Sequence, residues 1–183
     1  MLLNARDNLF EFNFPRNFVP KHIADKYRPY LNRIPGNIIE EPVDFLNYTI
    51  QAINLPGFGY DPVEQMKRGG RKMQYRDSVP ASELSQKELI VQFQLVDGYI
   101  NYWMLLETLK YYYDADTVAP FCENLNLRMT DGEGNSLVTA RLIAVLMRQI
   151  DDLDMSFASN VAEFRTFNVT FVYNFLEIII ELD

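Results

Sequence analysis

Alternation of apolar and polar side chains dominates this chain, and a period of two is the mark of a half-buried β-strand. The longest example lies near the C-terminus, in a strand predicted from Glu163 to about Ile180. There Phe167, Val169, Phe171, Tyr173 and Phe175 fall on one face and Asn168, Thr170, Val172 and Asn174 on the other. Glu88 to Leu95 alternates as cleanly, with Leu89, Val91, Phe93 and Leu95 inward, and Asp97-Gly98 closes it. Asn124 to Thr130 repeats the pattern with Leu125, Leu127 and Met129. The turn residues Asp131-Gly132-Glu133-Gly134-Asn135 then predict a hairpin into a strand over Leu137 to Met147. Phe45 to Leu55 also reads as a strand, with Tyr48, Ile50 and Ala52 set against Asn47, Thr49 and Gln51, ending at Leu55-Pro56-Gly57.

Two segments depart from this period. Between Tyr99 and Tyr113 the residues Tyr99, Tyr102, Trp103, Leu106, Leu109 and Tyr113 recur at helical spacing, which predicts one amphipathic helix packed on the sheet. From Met1 to Pro42 the chain is broken by Pro15, Pro20, Pro29, Pro35 and Pro42 and reads as an extended arm, in which a short helix fits Lys21 to Leu31. The arm's Leu9, Phe10, Phe12, Phe14, Phe18, Ile23, Tyr27, Tyr30 and Leu31 are too apolar for a solvated tail. They must lie against the chain's own body or a neighbouring subunit, and the sequence leaves both open. The pattern predicts an α+β, mainly β, protein: an antiparallel β-sandwich or barrel with one flanking helix and an N-terminal extended arm. Residues 1–44 form the arm and residues 45–183 a single β domain.

Composition sharpens this picture. The 183 residues suffice for one full core, and hydrophobic types at 48% with charged types at 23% are those of a globular protein. The 13 Phe and 11 Tyr favour sheets and protein interfaces. With 25 acidic against 17 basic residues the formal charge is −8, which disfavours tight binding to a phosphate backbone. An acidic surface can still line a channel through which DNA passes without adhering. No stretch reaches the roughly 18 apolar residues of a membrane helix, and Met1 to Phe14, carrying Arg6, Asp7 and Glu11, does not read as a signal peptide. One cysteine excludes an internal disulfide and fits a reducing cytoplasm.

Candidate chemistry is sparse. His22, the one histidine, sits in the Pro-broken arm, a poor mount for a general base. Cys122 has no basic neighbour to activate it and reads as a buried structural residue. Asp131, Glu133 and Asn135 briefly mimic a calcium loop, but Ser136 stands where the glycine belongs and Leu142 where the terminal glutamate belongs, so a turn explains them. Asp151, Asp152 and Asp154 read as a solvated acidic loop. No phosphate loop, nucleotide fingerprint or nucleophile elbow occurs. The expectation is a protein without catalytic residues, metal or cofactor.

One feature looks like interaction. Lys67, Arg68, Arg71, Lys72 and Arg76 place five of the 17 positive charges within ten residues. They lie in a long loop or ragged hairpin from Tyr60 to Ser85, against a solvated-loop reading of about equal weight.

The order of these elements resembles the tail-tube protein family of tailed phages and related injection systems. The resemblance rests on Ile53-Asn54-Leu55-Pro56-Gly57 after the first strand, Val91-Gln92-Phe93 before Asp97 and the helix, the Asp131 to Asn135 turn, and the ending Phe167 to Asn174. It covers about Asn47 to Ile180. It implies a β-sandwich or barrel with a flanking helix, six copies joined through their sheets into a ring, and rings stacked into a tube. It also implies a non-enzymatic virion component of the tail, assembled in the host bacterium's cytoplasm and partnered by itself and by other tail or baseplate proteins, with DNA as transient cargo and no membrane. Phe58 to Ser85, with the five basic residues, would stack on the next ring, and Asn168, Thr170 and Asn174 would face a wet lumen. The long arm and the basic run point to a specialised ring such as a tube initiator, terminator, hub or connector. Two rival readings are a monomeric β-barrel lined by aromatics around an apolar ligand and a carboxylate-and-metal hydrolase built on Asp151, Asp152 and Asp154.

Overall fold

The computed structural model describes residues 9–31, 39, 41–55, 57, 63–67, 69–75, 87–114, 122, 124–153 and 165–181. Arg68, Arg76 and Asp154, together with most of the expected loop from Tyr60 to Ser85, lie outside them.

Eight strands and three α-helices are described. In chain order they are β1 (Phe10–Asn13), α1 (Lys21–Leu31), α2 (Pro42–Tyr48), β2 (Ile50–Asn54), β3 (Val63–Lys67), β4 (Arg71–Tyr75), β5 (Glu88–Gln94), α3 (Ile100–Tyr112), β6 (Leu125–Thr130), β7 (Ser136–Ile150) and β8 (Thr166–Ile180). Six strands form one antiparallel sheet in the order β1-β6-β7-β8-β5-β2, curled into a half-barrel, while β3 and β4 pair only with each other. The mainly β, α+β reading holds. The flanking helix and the short helix over Lys21–Leu31 are present as read, and the described residues add a third, α2.

The sheet's inner face carries the core. Leu89, Val91 and Phe93 of β5, Leu125 of β6, Leu142, Val145 and Met147 of β7, and Val169 and Phe171 of β8 are fully buried. The segment read as an arm completes this core from within the chain. Its Phe12, Phe14, Phe18, Ile23, Tyr27 and Leu31 join the same buried cluster, and β1 adds a strand to the sheet, with Phe12 opposite Leu127. Phe14 stacks on Phe18 at 4.3 Å between ring centroids and lies 5.7 Å from Phe171. Phe93 stacks on Phe167 at 5.4 Å, and Tyr102 meets Phe167 edge-on at 5.3 Å. Aromatics that would line a ligand cavity are thus packed against one another, a favourable arrangement for ring quadrupoles.

The strand expected from Phe45 to Leu55 needs correction. Its first half is helix α2, and only Ile50–Asn54 is strand. Pro42 occupies the first helical turn, where its missing N–H costs nothing and its fixed φ favours the helix. Val43, Phe45 and Leu46 then bury together, whereas Tyr48 projects outward. Thr49 ends the helix by donating from both its N–H and its hydroxyl to the Leu46 carbonyl.

Helix α3 lies where expected, but its buried face is rotated. Asn101, Tyr102, Met104, Leu105 and Thr108 are inside, whereas Trp103 and Tyr113 are exposed. Two polar residues fill inner positions because their hydrogen bonds are met locally. Asn101 Nδ2 donates to the Gln94 carbonyl at 2.7 Å, and the Thr108 hydroxyl donates to the Met104 carbonyl at 2.8 Å. Periodicity alone assigns such residues outward.

The final strand also departs from its pattern. Phe167, Val169, Phe171 and Tyr173 are buried, but Phe175 is 62% exposed. Ala144 on the neighbouring strand adopts a left-handed conformation with φ of 54°. Around it the buried residues of β7 change parity, from Leu142 to Val145, and opposite them the inner residues of β8 change from Tyr173 to Leu176. Asn174 Nδ2 donates to the Ala144 carbonyl at 3.4 Å across this kink.

Candidate assembly surfaces

The basic run lies on a hairpin. Strands β3 and β4 turn at Gly69 and Gly70, whose φ values of 108° and 76° exclude most side chains, and Gly70 N–H donates to the Lys67 carbonyl at 3.1 Å. Lys67 sits directly opposite Arg71, on the face that also carries Val63, Gln65, Met73 and Tyr75. Lys72 points to the other face with Glu64, Met66 and Gln74, and its Nζ lies 3.4 Å from the Glu64 carboxylate. The structure therefore divides the run between two faces. Like charges directly opposite on paired strands repel, so Lys67 and Arg71 favour an acidic counterpart. Val63, Met66 and Met73 are exposed on the same hairpin, an apolar component that the charge pattern obscured.

Asn168, Thr170 and Asn174 do share the face of β8 opposite the core, with Asn168 and Thr170 half-buried and Asn174 exposed. Asn168 has a structural task as well. Its backbone N–H and Nδ2 both donate to the Asp151 carboxylate, at 3.1 and 2.8 Å, tying the end of β7 to β8. Across this face Gln92 Nε2 donates to the Thr166 hydroxyl at 3.3 Å, and Arg148 is ion-paired with Glu88.

The residues weighed for catalysis are placed apart. His22 is exposed beside the ring of Tyr111. Cys122 is buried, and burial pushes its thiol up to about 11, away from reactivity. Asp131 caps its own turn, accepting from Asn135 Nδ2 at 3.0 Å and from the N–H groups of Asn135 and Glu133 at 2.9 and 2.8 Å, and these bonds hold its carboxyl below the usual range. Among the described residues no cluster of three His, Cys, Asp or Glu side chains could hold a metal ion, and no helix is long and apolar enough to cross a membrane. A shallow cleft of about 580 Å³ opens beside Gln94, Asp97, Tyr99 and Arg165.

Sequence reasoning overlooked the end of β8. There Phe175, Ile178 and Ile180 are 62–65% exposed. The run of apolar residues was visible, but its place beyond the covered part of the sheet was not.

No family model matches the chain, and no curated protein matches it significantly. Among solved structures it is similar to a chain of the anti-feeding prophage (AFP) baseplate, a six-fold symmetrised structure. That match has 12% identity and a TM-score of 0.55, covering 98% of this chain and 97% of that one. A chain of the AFP tube terminating cap matches over 72% of this chain and 80% of its own, at 12% identity and a TM-score of 0.48. A chain of the sheath-tube complex of the PVC extracellular contractile injection system, in its extended state, covers 72% and 81% at 11% identity and a TM-score of 0.49. The chain thus shares its fold, nearly end to end, with the AFP baseplate chain.

Proposed function

We propose that this protein is a structural, non-catalytic subunit of a phage tail or a phage-like injection particle, where it forms a homo-hexameric ring of the tube, hub or connector around a channel. The observation that carries this reading is the match to the AFP baseplate chain, which includes the N-terminal segment and leaves almost nothing of either chain outside it. The ring packs against other tail or baseplate proteins within the virion tail, after assembly in the host cytoplasm, and DNA is its transient cargo. Asn168, Thr170 and Asn174 face the lumen, where polar side chains keep a wet wall.

Lys67, Arg68, Arg71, Lys72 and Arg76 form the contact to the adjacent ring. A two-stranded hairpin is marginal alone in water, so an exposed one with a basic tip and apolar flanks gains order from a neighbour. Light scattering on the purified protein tests the reading, with a mass of six protomers expected at high concentration. Lys67→Glu with Arg71→Glu removes ring stacking while leaving the ring and the melting temperature unchanged. A monomeric mass at every concentration overturns the proposal.

A further inference from the structure

Charge on the six-stranded sheet is matched one to one. Strands β1, β2, β5, β6, β7 and β8 contain three cationic residues, Arg128, Arg141 and Arg148, and three anionic ones, Glu11, Glu88 and Glu177. All six project from the outer face, and each arginine is paired with a glutamate of another strand. Arg128 lies directly opposite Glu11, with 3.5 Å between the charged groups, and Arg141 directly opposite Glu177, with 3.6 Å. The third pair takes a longer route. Arg148 is the extra residue where the register of β7 on β8 shifts between Met147 and Gln149, and it reaches across β8 to Glu88 on β5. Bulges re-aim side chains in this way.

The formal charge of −8 therefore lies wholly outside these strands. Between the pairs the face carries amides and hydroxyls, among them Gln92, Asn168 and Thr170. Stability does not account for the matching, because exposed ion pairs are screened by water and cost side-chain freedom, and so add little. A guanidinium is, however, a fork-shaped donor that fits phosphate oxygens, so three open arginines on a wet face would hold a passing phosphate backbone. The β3–β4 hairpin shows the contrary arrangement within the same chain. There Lys67 stands opposite Arg71 on a face whose other members are Val63, Gln65, Met73 and Tyr75. Cations are set against cations on the hairpin and against glutamates on the sheet.

Resting on the ring reading above, we infer that Glu11, Glu88 and Glu177 silence the arginines of the channel wall, making the outer face of the sheet neutral and non-adhesive toward duplex DNA moving past it. Charge matching, rather than an excess of acid, keeps the polyanion mobile there. Each glutamate acts through the arginine it covers, and loss of any one opens a phosphate-binding group on the wall.

The test is binding of fluorescent duplex DNA by the full chain, read by anisotropy over a salt series. Glu11→Gln, Glu88→Gln and Glu177→Gln together should raise affinity and steepen the log–log salt slope by about 2.7 per protomer, a further loss of about 40-fold between 50 and 200 mM salt. Adding Arg128→Gln, Arg141→Gln and Arg148→Gln should abolish the gain. Melting temperatures report the fold, and the three single glutamate variants, each leaving two pairs intact, should each steepen the slope by about 0.9. Folded variants that bind DNA no more tightly than the parent chain overturn the inference, as does a gain that survives loss of the arginines. Light scattering on the same samples separates the two readings. Rings of six protomers without a gain overturn the masking and leave the ring reading standing, whereas a gain in a chain that stays monomeric keeps the masking and overturns the ring.

Discussion

Phe18→Ala tests whether the N-terminal segment belongs to the fold. Phe18 is fully buried, stacked on Phe14 at 4.3 Å and set 6.1 Å from Phe171 at the centre of the sheet. Removing its ring leaves a cavity that the surrounding rings cannot close, at a cost of about 3–5 kcal/mol. The bond from the Tyr112 hydroxyl to the Phe18 carbonyl, 3.0 Å, involves only the backbone and survives, so the loss reads packing alone. For a domain of this size each kcal/mol lowers the melting temperature by about 2–4 °C, so a drop of roughly 6–20 °C follows. Urea unfolding followed by circular dichroism is the assay, with the midpoint falling and the slope unchanged. Tyr113→Ala, at an exposed position, should change stability by no more than about 0.5 kcal/mol. A loss below about 1 kcal/mol for Phe18→Ala would refute the reasoning, because surface sites behave that way.

Three further outcomes follow from particular residues. Ala144→Gly should stabilise the protein by up to about 1 kcal/mol, since glycine relieves the left-handed strain, whereas Ala144→Val should destabilise it; equal effects in chemical denaturation would contradict the kink. Cys122 should resist a thiol reagent at mildly alkaline pH in the folded protein and react on unfolding, because its thiol is buried and its pKa lies near 11. Asp131→Asn should lower stability at neutral pH. The folded carboxyl titrates below its unfolded value, so its contribution is present above the ordinary Asp range and disappears as pH falls through the lowered value. Melting curves of the two proteins should therefore converge in acid, and a gap independent of pH would contradict this.

Much of the fold was legible because the sequence obeys simple periods. Leu89, Val91 and Phe93 alternate and are buried, Asp131 to Asn135 turns, and Lys21 to Leu31 is helical as read. The errors share a cause, which is local chemistry that overrides a pattern. Pro42 starts a helix where it was read as a breaker, and Asn101 and Thr108 are polar yet inside. Ala144 gives no sign in its identity that it will hold φ of 54° and reverse the faces of β7 and β8. The assembly surfaces were legible only in part. Charge marked Lys67, Arg71 and Lys72, but only pairing separated them onto two faces. That β8 runs on past its pairing with β5 among the described residues is a tertiary fact that no property of Asn174 to Ile180 reveals.

The central claim is that this chain builds a ring, and electron microscopy of the purified protein across a concentration series tests it most directly. The account predicts six-fold annular particles with an open lumen, stacking into short tubes as concentration rises. Compact particles of single-protomer size at every concentration would contradict it.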